Sequence, residues 1–208
     1  MTFSDETTTT AGTQDLLRVR IETPGGSFTV DLDSGRAPIT TANFLAYVDG
    51  HFYDGGRFHR TVRLDNNSNA GLNISDTDSG IDPTADRSLL PNDTIAIEVI
   101  QGGIDPARID EQGVPITLER TSETGLTHRD GTISMARLTP DSAISDFFIC
   151  INDQPGLDFG GARNPDGQGF AAFGQVVEGM EIVRAIQNSP SEGQSLVPAI
   201  DIVRIRRI

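Results

Sequence analysis

The sequence predicts a mainly β fold, a closed eight-stranded antiparallel barrel whose open ends are capped by two α-helices. Three observations carry this. Apolar residues alternate with polar ones, or run on without a break, in about eight short stretches, and only two stretches have helical character. Gly and Pro are plentiful, 22 and 11 of 208 residues, and punctuate the chain as frequent turns require. A barrel would bury the apolar face of each helix and leave no unpaired strand edge.

Residues 1–15 are polar, Thr-rich and acidic and read as a disordered tail, leaving 16–208 as one domain. Leu17, Val19 and Ile21 alternate with polar neighbours; Gly25-Gly26 marks a turn; Phe28, Val30 and Leu32 alternate again. Together they form a β-hairpin. Pro38 suits the first turn of a helix that continues through Ala42, Leu45, Ala46 and Val48 and stops at Gly50. Phe52 to Arg63 reads as strand and turn.

The stretch 64–94 is crowded with Asn, Asp, Ser, Gly and Pro and has no period, so it reads as an inserted loop. Its Asp76, Asp78 and Asp82 lack the ordered spacing and terminal Glu of a calcium loop. Ile95 to Ile100 returns to strand. Gly131 to Met135, Phe147 to Ile151 and Phe170 to Val176 are buried strands, with a Gly-rich surface loop at Pro155 to Gly169. Val177, Met180, Val183 and Ile186 carry a helical period, and Ile200, Ile202, Val203 and Ile205 form a closing strand.

Composition excludes several function classes. Net charge is −14, and all 16 basic residues are Arg, so a phosphate backbone is repelled and nucleic-acid binding is not expected. No window approaches the run of about 18 apolar residues that a membrane span needs. The opening MTFSDETTTTAGTQD has neither a basic n-region nor an apolar h-region and does not read as a signal peptide; cytoplasm and periplasm both stay open. Cys150, the one cysteine, lies in the apolar run Phe147-Phe148-Ile149-Cys150-Ile151 and reads as core. His51, His59 and His128 lack ligand spacing, no zinc pattern or nucleophile elbow occurs, and no metal is expected.

Five blocks stand in a fixed order: Phe58-His59-Arg60, Gln101-Gly102-Gly103, Gly131-Thr132-Ile133-Ser134-Met135-Ala136, Asp141-Ser142-Ala143 followed by Phe147-Phe148-Ile149, and Phe173-Gly174-Gln175-Val176-Val177-Glu178-Gly179-Met180. In this order the chain resembles the cyclophilins, peptidyl-prolyl cis/trans isomerases, and among them the compact bacterial members. Residues 36–56 are similar to the family's first helix and the turn after it. The resemblance runs from about residue 17 to 208 with the insertion set aside. It implies catalysis of rotation about X–Pro bonds in proteins, without a cofactor, on proline-containing peptides and unfolded protein clients, by a monomer.

The chemistry follows from the amide. Resonance makes X–Pro rotation slow, with a barrier of about 18–20 kcal/mol. In the twisted transition state the proline nitrogen regains a basic lone pair, and a fixed cationic donor aimed at it stabilises that state above either ground state. The resemblance assigns that donor to Arg60, with Gln101 orienting it and Phe148 walling the proline ring. It assigns substrate contacts to Val99, Ala136, Arg137, Asp146, Leu157 and Phe170.

Departures from the family pattern stand beside these matches. Glu98 falls where a pocket Phe is common, Asp146 where a Gln helps hold substrate, Gly156 where many members have an aromatic residue, and Phe170 where many have His. A carboxylate at 98 or 146 is placed to pair with Arg60 or to orient it, and the small residue at 156 implies poor binding of cyclosporin-like cyclic peptides. The other reading is therefore a cyclophilin-fold binding or chaperone module with little or no turnover.

Overall fold

The computed structural model describes residues 17–67, 92 and 94–208. The expected tail, and within the insertion Asp76, Asp78 and Asp82, lie outside the described residues. Ten strands join in one antiparallel sheet: β1 (Leu17–Thr23), β2 (Gly26–Leu32), β3 (Arg57–Val62), β4 (Val99–Gly103), β5 (Thr132–Met135), β6 (Phe147–Cys150), β7 (Ala172–Glu178), β8 (Ser191–Glu192), β9 (Ser195–Asp201) and β10 (Arg204–Arg207). Their order is β10-β1-β2-β7-β5-β6-β4-β3-β9-β8. Ten replace the expected eight because the closing strand is broken at Ile202-Val203 and the two-residue β8 precedes it. The break lets the chain change neighbours: β9 pairs with β3, and β10 pairs with β1 near the other end of the order.

The opening hairpin forms as its alternation requires. Val19 and Ile21 on β1 and Phe28, Val30 and Leu32 on β2 are buried, while Arg18 reaches across the pair to Asp31. Gly26 turns the chain at φ +136°, and a Cβ there would overlap Ile182.

Helix α1 (Pro38–Asp49) begins at Pro38, and its own N-cap residue supplies no side-chain bond. Glu119 does so from a distance: its carboxylate oxygens accept from the Ile39 and Thr40 amides at 3.0 and 2.8 Å. The buried side of α1 carries Phe44, Leu45, Tyr47 and Val48. Phe44 meets Tyr53, Phe147 and Phe173, and Phe147 meets Phe58, with ring centroids 5.2–5.8 Å apart. Full burial of each such ring stabilises the fold by about 1.5–3 kcal/mol.

Two further α-helices are present among the described residues. The single turn α2 (Thr121–Thr124) was not anticipated, and α3 (Met180–Gln187) starts later than its period implied, because Val177 belongs to β7. Among the described residues, no helix is long and apolar enough to cross a membrane.

A second apolar cluster lies on the other face of the same strands: Val62, Ile97, Val99, Phe148, Cys150, Leu157 and Phe170, with Ala136 against it. Phe147 and Ile149 point into the main core while Phe148 and Cys150 point into this one. Both faces of β6 are covered, so its sequence is an unbroken apolar run rather than an alternation. That second face carries the candidate site.

Candidate active site

One extra residue in β3 sets the geometry. Phe58 pairs with Gly102 but Arg60 pairs with Gln101, so His59 is a bulge. Adjacent residues of β4 face opposite sides, so the bulge sends Phe58 into the main core and Arg60 to the other face. A row then crosses the sheet on that face: Arg60 opposite Gln101, Gln101 opposite Phe148, and Phe148 opposite Ser134.

Arg60 is half-buried and held from two sides. Its Nη1 donates to Gln101 Oε1 at 3.0 Å, while Nε and Nη2 donate to Gln194 Oε1 at 2.9 and 2.6 Å. Both acceptors are neutral amides, which orient the guanidinium without cancelling its charge. Burial, aided by the Arg163 charge, pushes its pKa down to about 10. The group is still a cation at neutral pH, and a more acidic N–H is a stronger donor.

Gln101 is itself oriented. Its Nε2 donates to Asp146 Oδ2 at 3.1 Å, and His59 Nε2 lies 3.7 Å from the same oxygen. Asp146 thus reaches Arg60 through Gln101, and Glu98 accepts from Asn152 Nδ2 at 2.8 Å. Of the two acids in question, one orients and the other is engaged elsewhere.

Phe148 forms the apolar floor. Phe170 meets it edge-on at 5.4 Å, and His128 stacks on it at 5.9 Å with 16° between the rings. His128 is fixed by Asp158 Oδ1 at Nδ1, 2.7 Å, and by Ser134 Oγ at Nε2, 3.0 Å. This Ser-His-Asp chain was not legible in the sequence. Ser134 is fully buried within β5, so the chain holds the Phe148 ring and presents no nucleophile.

The Gly-rich segment 155–169 was expected as surface loop, yet Leu157, Arg163 and Asn164 are buried in it. Arg137 ties down its far end: Nη1 and Nη2 grip the Asp166 carboxylate at 2.8 and 2.9 Å, and Nε donates to the Gly169 carbonyl at 2.8 Å. Arg163 ties down its middle, donating from Nη1 to Asn67 Oδ1 and to the Asn92 and Ile95 carbonyls. Asn67 and Asn92 lie near the two ends of the segment 64–94 expected to be an insertion, and Arg163 holds both beside the candidate site.

Arg60, Gln101, Phe148, Val99, Leu157 and Phe170 are therefore brought to one face, with Ala136 at its edge and Asp146 behind Gln101. The Arg137 side chain is engaged in the loop instead. Gln194 escaped the sequence reading, since a lone Gln after Gly193 belongs to no motif.

The family model described as cyclophilin type peptidyl-prolyl cis-trans isomerase/CLD matches residues 18–207. The chain belongs to this family. A peptidyl-prolyl cis-trans isomerase of Acinetobacter baylyi is 31% identical over 174 residues, 83% of this chain and 73% of the relative. Peptidyl-prolyl cis-trans isomerase cyp18 of Streptomyces antibioticus is 30% identical over 189 residues, 89% and 93% of the two chains. Among solved structures, a cyclophilin type isomerase of Cryptosporidium parvum superposes with a TM-score of 0.65 at 22% identity, covering 93% of this chain and 98% of its own. The same protein in the presence of the dipeptide Ala-Pro gives 0.64. These two likenesses speak for the fold.

Within this cyclophilin one departure has a local reason. A Cβ on Gly156 would sit 2.7 Å from Ile95 Cγ2, so a larger residue there requires Ile95 to shift.

Proposed function

We propose that the chain catalyses cis/trans rotation about X–Pro bonds in flexible or unfolded protein segments, with Arg60 as the catalytic cation. The observation that carries this reading is a guanidinium that, among the described residues, hydrogen-bonds only to neutral acceptors, standing beside an apolar floor. These three bonds use one N–H of each nitrogen, and a second N–H remains on each Nη for substrate. The proline ring packs on Phe148 among Val99, Leu157 and Phe170, which places the imide nitrogen within reach of Arg60.

Gln101 orients Arg60 and bonds the substrate backbone, and Asp146 steadies Gln101. Ala136 and Arg137 offer main chain to the residue before proline, since the Arg137 side chain is held by Asp166 and Gly169. No covalent step, cofactor or metal enters. Cutting tens of seconds to milliseconds takes about 10⁴-fold, or roughly 5.5 kcal/mol, which one charge-assisted bond in a dry site plus positioning can largely supply. The Cryptosporidium relative studied with Ala-Pro supports a proline-containing ligand.

We also read the sheet as a closed barrel acting as a monomer. The two-residue step from β9 to β10, with the Ile202 amide donating to Gly56 O and the Val203 amide to Glu22 O, supports closure by joining the β3 and β1 sides.

Titration with an Ala-Pro peptide, followed by NMR, tests the site. Shifts should concentrate at Arg60, Gln101, Phe148 and Ala136, and cis and trans peptide signals should exchange faster with protein present. Shifts confined to the opposite face of the sheet would sink the assignment.

A further inference from the structure

We propose that Gln194 is a positioning residue that fixes the pose of Arg60, and that Asn66, at the root of the insertion, holds Gln194 in turn. The inference rests on the reading of Arg60 as the catalytic cation.

The register of β9 places Gln194 there. Phe58 pairs with Ile200 but Arg60 pairs with Ser195, so β9 carries three more residues than β3 over that step. The excess brings the β8–β9 turn up to the guanidinium. Gln194 is 4% exposed and is held at both ends of its amide and through its main chain: Oε1 takes two Arg60 N–H bonds, Nε2 donates to the Asn66 carbonyl at 3.0 Å, and its main-chain oxygen accepts from the Thr61 amide at 2.8 Å. The Nε2 bond decides which end of the amide faces Arg60.

Asn66 is locked by its own side chain. Oδ1 accepts from the Arg63 amide at 2.6 Å, and Nδ2 donates to the Thr61 and Gly193 carbonyls at 3.1 and 2.9 Å. Gln101 alone fixes one terminal nitrogen and leaves the plane free to turn about it. Gln194 grips the opposite edge and defines the plane, so the N–H groups left for substrate keep one direction. A donor held in place before the reaction stabilises the transition state without reorganisation.

The test uses the full chain with three variants: Gln194→Leu, Asn66→Ala and, as control, Arg60→Ala. Exchange NMR on an X–Pro peptide gives kcat and KM, and the Arg60 Nε–Hε signal reports solvent exchange of that N–H. In Gln194→Leu, kcat should fall about tenfold with KM within about twofold, and the Nε–Hε proton should exchange with water much faster. Asn66→Ala should show the same pattern at about threefold, and it carries the test alone if Gln194→Leu does not fold. Wild-type kcat in either folded variant, with Arg60→Ala inactive, overturns the relay only. Wild-type kcat in Arg60→Ala overturns the reading of Arg60 and the relay with it.

Discussion

Arg60 faces Gln101 directly across β3 and β4, and its Nη1 donates to Gln101 Oε1 at 3.0 Å. The pair depends on parts outside it. Gln101 is steadied by Asp146, whose other oxygen, Oδ1, lies over Gly103, and a Cβ at 103 would overlap that oxygen. Gly103→Ala should therefore displace Asp146 and loosen Gln101, lowering kcat/KM several-fold while the chain stays folded. Adding Asp146→Ala should relieve the overlap. A single variant with wild-type kcat/KM would show that Asp146 does not steer Gln101.

The lowered pKa of Arg60 gives the pH profile a sign. The protonated guanidinium is the active form, so kcat/KM should be flat through neutral pH and fall as pH rises through about 10. Because the pKa is lower folded than unfolded, keeping Arg60 charged costs stability below about pH 10, and that cost lessens as pH rises above it. Exchange NMR on an X–Pro peptide between pH 5 and 11, with folding checked at each point, measures the profile. A fall centred near pH 6–7 would implicate a histidine instead.

Much of the fold was legible because alternation and turns state it. Val19, Ile21, Phe28, Val30 and Leu32 announce the first hairpin, and Pro38 and Gly50 bracket α1. The split of the closing strand was not legible, since Ile200, Ile202, Val203 and Ile205 read as one strand. What breaks it is the exchange of partner from β3 to β1, a tertiary event.

The site was legible only through its motif blocks. Phe58-His59-Arg60 by alternation puts Phe58 and Arg60 on one face, and the bulge at His59 reverses that. Gln194 and His128 act through long-range register and packing, which leave no local pattern.

Asp166 anchors the loop that supplies Leu157 and Phe170. Its hydrogen bonds from Arg137 hold its carboxyl below the usual carboxylate range. That stability is present above the ordinary carboxylate pKa near 4 and is lost as pH falls through the lower folded value. Asp166→Ala leaves a buried guanidinium with only carbonyl partners and should cost about 2 kcal/mol by urea denaturation at pH 7. A loss below a few tenths of a kcal/mol would show the pair to be idle.

Cys150 is fully buried, and burial raises its thiol pKa well above the ordinary value. In the native protein it should resist an aromatic disulfide reagent and react only at the rate of unfolding. Prompt reaction in native buffer would mean that the cluster beneath Phe148 opens readily.

The central claim is that a positioned Arg60 charge accelerates X–Pro rotation, and a protease-coupled isomerisation assay of wild type beside Arg60→Ala tests it most directly. The account predicts clear acceleration by wild type and a loss of about 10²-fold or more in a folded Arg60→Ala variant. Equal acceleration by both proteins, or none by folded wild type, would contradict it.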